Sequence, residues 1–346
     1  MKISYHIVNH PIDFVVTWLD SSDEIWQKEY FKYKGEYSTG DQSESRFRNW
    51  DFFRFWFRAV EKYAPWVNNI YLVTNGSFPQ WINKHNPKLV LVNHKDYIPE
   101  QFLPTFNSCT IELHMHRIPG LSEHFVYFND DCFLNGHIDP DYYFRKGLPC
   151  DNNKETIFNA PIYDKDFKFG IYPSLLTNIG VINANFNRWI TVKSSLKKWF
   201  GPHLGIQGIM TSVMLGRQRR FVGFNWRHLE QPFLKSIFEE AWEKSNDILV
   251  KSCTRFREEI TINPYFFRYW QFASNRFYPM KFNRTKQFRI RRNKAQAIVD
   301  AINNEQIKSV CINDTSFCSH EDYLYLKDLF LQTFEKKFPH KSAFEL

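Results

Sequence analysis

Residues 12–19, IDFVVTWL, form an apolar, β-branched run that stops at Asp20 in a polar turn, the mark of a buried strand. Similar runs follow at 70–74, 89–92 and 125–128. Between the first two, NWDFFRFWFRAVEKYAPW sets Trp50, Phe53, Phe57, Val60 and Ala64 at helical spacing, and Pro65 closes the segment. Strands alternating with a helix predict an α/β fold with a mainly parallel sheet, whose ligands bind beyond the carboxyl ends of the strands. Those ends carry Asp20, Asn75-Gly76, Asn93-His94 and Asn129-Asp130-Asp131. One edge thus collects amides, carboxylates and an imidazole.

Past about residue 140 the regularity fades, with helical stretches predicted at 232–242, 294–303 and 321–338. We read 1–140 as an α/β ligand-binding core and 141–346 as a helical and loop-rich part that completes the site. The two form one integrated domain in this reading; a separate domain beginning near residue 140 is the alternative.

Composition narrows the class. A chain of 346 residues that is 43% hydrophobic has ample material for a core. Its 35 Phe, 17 Tyr and 11 Trp are fitted to fill that core and also to stack on sugar faces. The formal charge of +8 suits an anionic partner. The opening MKISYHIVNHPIDF lacks the apolar centre of a signal peptide, and no stretch has the length of a spanning helix, so a cytoplasmic protein is expected. Six scattered cysteines without a CxxC signal neither a disulfide framework nor a zinc site. Sequons at Asn75, Asn283 and Asn313 matter only in a secretory compartment, which the opening does not indicate.

Candidate chemistry begins at FVYFNDDCFL, where Asp130 and Asp131 directly follow a hydrophobic run. Paired hard oxygen ligands there suit Mg²⁺ or Mn²⁺, which neutralise phosphate charge; a cap or an acidic turn is the plainer reading. Upstream, Glu112 and His116 are four apart and share a face of one predicted helix, while His114 points elsewhere. This is not HExxH, so a zinc protease is unsupported. Later come His228, an imidazole able to take a hydroxyl proton, and Arg257, a guanidinium able to grip phosphate. The stretch 281–294 holds Lys281, Arg284, Lys286, Arg289, Arg291, Arg292 and Lys294 with Phe282 and Phe288 interleaved. It reads either as a solvated helix face or loop, or as a track for an anionic glycan or membrane surface.

Several segments together resemble the Stealth proteins, which include bacterial capsule hexose-1-phosphate transferases and the catalytic part of an animal N-acetylglucosamine-1-phosphotransferase. They are IDFVVTWLD (12–20), RFRNWDFFRFWFRAVEKYAPWVNNIYLVTNG (46–76), LPTFNSCTIELHMHRIPGLSEHFVYFNDDCFL (103–134), HLEQPFLKS (228–236), and the region from INDTSFCSHED to KSAFE (312–345). The resemblance implies a Rossmann-like sheet of the GT-A-like kind that binds a nucleotide-sugar of the UDP-hexose or UDP-N-acetylhexosamine type. It implies a glycan acceptor, possible in lipid-linked form, and Mg²⁺ or Mn²⁺ at Asp130 and Asp131.

Carried over residue by residue, the resemblance points to Asp20, Glu112, Asp131, His228 and Arg257 as catalytic positions. It points to Arg48, Arg54, Asn75, Asn107, Asn129, Lys235 and Arg289 as substrate-binding ones. Glu230 stands where relatives carry proline, and Thr261 near where many carry an aspartate. The implied reaction is attack of an acceptor hydroxyl on the sugar-bearing phosphorus, with release of a nucleoside monophosphate. A metal-dependent glycosyltransferase would instead release the diphosphate. A nucleic-acid binder built on 281–294 is disfavoured, since no nucleic-acid motif is present.

Overall fold

The computed structural model describes residues 10–35, 48–157, 171–258, 261–314 and 318–346. Parts of the quoted segments, at 46–47 and 315–317, lie outside them, as do 259–260. The principal sheet uses β1 (Ile12–Thr17), β2 (Ile70–Thr74), β3 (Leu89–Asn93), β4 (His124–Phe128) and β8 (Gln231–Leu234), in the order β3-β2-β1-β4-β8. The first four are parallel and β8 is antiparallel to β4. The α/β class with a mainly parallel sheet is therefore the observed one. β1 is buried from Ile12 to Val16 because both faces of a central parallel strand are covered, which explains its unbroken apolar run. Its one charged side chain, Asp13, is buried but satisfied by Asn68 Nδ2 (2.8 Å) and the backbone NH groups of Asn69 and Ser122.

The helix read from 50–64 is α2 (Phe53–Tyr63), preceded in the chain by α1 (Glu24–Lys34). More of α2 is buried than the spacing predicted, including Phe55, Trp56 and Ala59. Trp56 meets Phe128 of β4 at 5.4 Å between ring centroids, while Phe55 stacks on Phe334 of the final helix at 5.3 Å. The helix is thus covered on two sides, and an aromatic side chain fully buried there stabilises by about 1.5–3 kcal/mol. At the end of β2, Gly76 has φ +116°, and a Cβ there would lie 2.5 Å from Asn93 Nδ2. Only glycine fits that turn.

A second sheet joins the halves of the chain: β5 (Cys132–Leu134) pairs antiparallel with β11 (Ser309–Asn313), which pairs parallel with β10 (Thr285–Arg289). A small ladder of β6 (Phe144–Arg145), β7 (Leu148–Asp151) and β9 (Tyr278–Pro279) completes the strands described. The remaining helices are α3 (Ser108–Leu113), α4 (Tyr172–Asn185), α5 (Arg188–Ser194), α6 (Leu196–Trp199), α7 (Gly205–Leu215), α8 (Lys235–Ser252), α9 (Tyr265–Ala273), α10 (Ala295–Asn303) and α11 (His320–Lys337).

Three expectations change here. Residues 231–234 are a strand rather than the start of a helix, and α8 begins only at Lys235. Pro232 is tolerated because β8 is an edge strand. Glu112 and His116 do not share a helix, since α3 ends at Leu113 and a separate 3₁₀ turn carries Met115–Arg117. Within the basic stretch, 285–289 form an edge strand, β10, and Arg292–Lys294 a 3₁₀ turn, with loop between and before them, so the loop alternative holds and the helix face does not.

Candidate active site

Because β1 to β4 run parallel, their carboxyl ends share one edge, and β8, running the other way, starts there. His228 precedes β8 and Asp131 follows β4, so topology alone brings them together. His228 Nε2 lies 3.1 Å from Asp131 Oδ2. Asn313, at the end of β11, donates to the same oxygen at 2.8 Å, and Cys311 Sγ lies 3.5 Å from it. Cys132 Sγ is 3.2 Å from Oδ1. Burial would raise the Asp131 carboxyl, but the His228 charge and the bonds from His228, Asn313 and Cys132 hold it well below the carboxylate range. For His228, burial pulls the imidazole down; Asp131, helped by Glu112 and Asp130, outweighs it and raises it above its ordinary value. Gln287 Oε1 of β10 accepts the His228 backbone NH at 3.1 Å, fixing the approach to β8.

A second group sits beside the first. Tyr127 Oη of β4 lies 2.8 Å from Glu112 Oε1, 2.7 Å from Asn129 Oδ1 and 3.2 Å from Thr17 Oγ1. One phenol proton cannot serve both Glu112 and Asn129. Glu112 can supply the second proton: burial pushes its carboxyl up to about 7, against the Tyr127 bond and the nearby Arg257 and His228 charges. Arg257 Nη2 donates to Ser108 Oγ at 2.9 Å. Its loop is pinned to the start of α3 by Phe106 NH to Arg255 O (2.8 Å), Thr110 Oγ1 to Thr254 O (2.8 Å) and the Asn107 amide to Thr254. Asn107 is thus α3's cap and a brace for Arg257.

The other expected positions divide. Asn75 is at the edge, and its buried Oδ1 has no partner among the described residues. Asp20 is there too, its carboxylate held by Ser22 at 2.6 and 2.9 Å. Arg289 is exposed beside Asn313, its register partner on β11. Arg54, on α2, is half-buried, and its Nε has no partner among the described residues. Arg48 is engaged elsewhere, 3.7 Å from Asp314 and donating to the Cys318 carbonyl at 2.9 Å, so it ties the chain to its C-terminal part. Lys235 lies at the far end of the sheet, because β8 carries the chain from Tyr127 back to His124 and the Lys235 NH bonds Glu123 O. It is remote from the site. Glu230 is buried against Ser309 and Tyr143, and Thr261 is buried beside Ser174. Sequence reading missed Tyr127, Cys132, Gln287, Cys311 and, as a site residue, Asn313; only its place in the quoted INDTS segment hinted at the last.

Two cation environments can be distinguished. Asp131, Cys132, His228 and Cys311 each offer one ligand atom, all within 4.8 Å of one another, a set whose softness suits zinc. Burial holds both thiols protonated, Cys132 well above its ordinary value and Cys311 up to about 12, so here they act as hydrogen-bond donors. Asp130 offers the harder environment. It is exposed to solvent, yet the surrounding protein and then the Asp131 carboxylate push its carboxyl up to about 7. Desolvation of an open carboxyl is partial, so the Asp131 charge is the firmer cause. A divalent cation would relieve that repulsion. Mg²⁺ or Mn²⁺ fits Asp130 better than Asp131, whose oxygens are already engaged.

This chain is similar over nearly its whole length to polysaccharide phosphotransferases. The capsular polysaccharide phosphotransferase WcwK of Streptococcus pneumoniae is 38% identical over 96% of this chain and 98% of its own. The receptor polysaccharide phosphotransferase WefC of Streptococcus oralis is 35% identical over 97% and 99%. The exopolysaccharide phosphotransferase cps2G of Lactiplantibacillus plantarum is 38% identical over 96% of each. Among solved structures, the galactosyltransferase LgtC aligns over 96% of this chain and 98% of its own, with 9% identity and a TM-score of 0.40. With these relatives the protein is a transferase, and its fold is of the α/β class. Stealth protein conserved region 2 matches residues 46–151 and conserved region 4 matches 300–346, and the chain belongs to the Stealth family. Glu112 and Asp131 fall in the first region and Asn313 in the second; His228 and Arg257 lie between them.

Proposed function

We propose that this transferase moves a sugar 1-phosphate from a nucleotide-sugar of the UDP-hexose or UDP-N-acetylhexosamine type to a hydroxyl of a capsular or cell-surface glycan. It works in the cytoplasm on a lipid-linked acceptor, forms a phosphodiester and releases a nucleoside monophosphate. The carrying observation is the His228–Asp131–Asn313 network at the carboxyl edge. In its neutral form His228 donates Nε2–H to Asp131, leaving Nδ1 to take the acceptor's hydroxyl proton. The acceptor oxygen then attacks the sugar-bearing phosphorus, and the bond from that phosphorus to the diphosphate bridging oxygen breaks. Arg257 holds the non-bridging oxygens in two parallel hydrogen bonds. Asn75 Oδ1 and Arg54 Nε are buried donors and acceptors left for the nucleotide.

Asp130 would hold Mg²⁺ or Mn²⁺, which supplies positive charge against the diphosphate when bound. Full-length protein dialysed against chelator is expected to lose transfer and to regain it with Mg²⁺ or Mn²⁺ but not Ca²⁺. Undiminished transfer in excess chelator removes the ion from the reading.

The decisive measurement follows the phosphate. With a donor labelled in the phosphate next to the sugar, the label is expected in the polymer, in a phosphodiester. Label leaving in a nucleoside diphosphate would make the enzyme a glycosyltransferase. Because hydrolysis of the donor also yields monophosphate, the label must be recovered covalently bound to glycan.

A further inference from the structure

Helix α7 has its polarity reversed. Its buried positions are Gly208 and Ser212, whereas Ile206, Met210, Val213 and Met214 are 79%, 58%, 62% and 83% exposed. These four recur at i, i+4, i+7 and i+8 and so form one outward stripe on a helix with no charged residue. Ile190 on α5 and Leu196 on α6 are exposed as well, at 65% and 54%. The elements are joined: Arg188, at the start of α5, donates to Gly216 O at 3.1 Å, and the Arg217 guanidinium lies over the Trp189 ring at 5.8 Å. An outward apolar face of this extent marks an interaction surface.

Charge identifies the partner. Lys193, Lys197, Arg217, Arg219 and Arg220 are exposed around the stripe. Between Asp166 and Glu230 the sequence has no Asp or Glu, so all 37 acidic residues lie outside this stretch. We infer that α5–α7 dock on an anionic phospholipid surface, with the α7 stripe in the interfacial region and the basic residues against the headgroups. A second copy of the chain is a poor occupant, because pairing this face with itself would oppose cations to cations. No helix among the described residues is long and apolar enough to cross a membrane, and α7 at 11 residues fits a helix lying in the surface.

The placement also divides labour within the molecule. The stretch 281–294 is basic, but Phe282 and Phe288 are half-buried, so it offers charge without an apolar anchor. Its Arg289 sits beside Asn313 at the active edge, where it suits an anionic substrate. The docking surface is independent of the catalytic reading, and its test uses no turnover.

Full-length protein is sedimented with vesicles of phosphatidylcholine alone and of phosphatidylcholine with phosphatidylglycerol. Binding is expected only with phosphatidylglycerol, weakening as salt rises. Ile206→Ser/Met210→Ser/Met214→Ser, all exposed, is expected to reduce it by about tenfold or more, as is Arg217→Glu/Arg219→Glu/Arg220→Glu. Arg289→Glu/Arg291→Glu is expected to leave it unchanged. Circular dichroism confirms that each variant is folded, and the two α7-side variants report independently. The proposal is overturned if the parent protein ignores phosphatidylglycerol, if both α7-side variants bind like the parent, or if only the 289/291 variant loses binding. It is equally overturned if the serine variant merely converts a dimer to a monomer with vesicle binding intact.

Discussion

With His228 replaced by alanine, turnover falls by about 10²- to 10⁴-fold while the fold is kept. The imidazole is partly exposed, at 27% of its side chain, and Asp131 retains the Asn313 amide and both thiols, so no buried charge is left bare. The pH dependence identifies the role. The raised folded pKa of His228 means that its attraction to Asp131 stabilises the protein fully below the ordinary histidine pKa, about 6.5, and is lost as pH rises through the folded value. The depressed Asp131 contributes its part above the ordinary aspartate pKa, about 3.9, and loses it as pH falls through the folded value. The ion pair is thus strongest in mildly acidic solution, where a base is of no use because its proton is already in place. Turnover should climb with pH along a limb whose midpoint lies above 6.5. Asp131→Asn removes the charge that raises the imidazole, so that limb should move to lower pH even as overall turnover drops. A limb that stays in place in Asp131→Asn, or near-parental turnover in His228→Ala, would assign the proton to another group, with Glu112 the next in line.

How much of this was written in the sequence depended on whether a feature was local. The runs at 12–19, 70–74, 89–92 and 125–128 are β1 to β4, the inner ones apolar throughout because both their faces are covered, the edge strand β3 only half-buried in its middle. The aspartate pair at the end of the fourth run fell on the ligand edge for the same reason. The partners of Asp131 were not legible, since His228 is 97 and Asn313 is 182 residues away, and only the register of β8 and β11 joins them. Lys235 shows the same blindness in reverse: the resemblance makes it a substrate-binding residue, but an extended strand reading away from the edge takes it to the other end of the sheet. Pro232 disguised that strand, being a residue that periodicity counts against strands and that an edge position accepts. The resemblance makes Arg48 a substrate-binding residue, and its partner Asp314 is visible only once the C-terminal part has folded back.

Arg257→Ala should lower phosphosugar transfer by about 10³-fold, and Arg257→Lys should restore only a small part of it. In-line displacement at phosphorus spreads negative charge over the non-bridging oxygens, and a planar guanidinium meets two of them at once where an ammonium meets one. Loss of the side chain should leave the site otherwise assembled, because the loop remains tied to α3 by the Phe106, Asn107 and Thr110 bonds. A structural role would likewise reduce activity, so three further readouts separate the two. Guanidinium ion added to Arg257→Ala should recover turnover, which a displaced loop would not allow. The deficit should appear in kcat more than in KM, since the charge it meets grows toward the transition state. Finally, Arg257 holds the Glu112 carboxyl down against its burial, so in Arg257→Ala that group should titrate above its present value of about 7, whereas in Arg257→Lys it should stay close to it. Equal losses in the alanine and lysine variants, without rescue by guanidinium and with the Glu112 titration unmoved, would place Arg257 outside the phosphate's reach and return the charge stabilisation to the cation at Asp130.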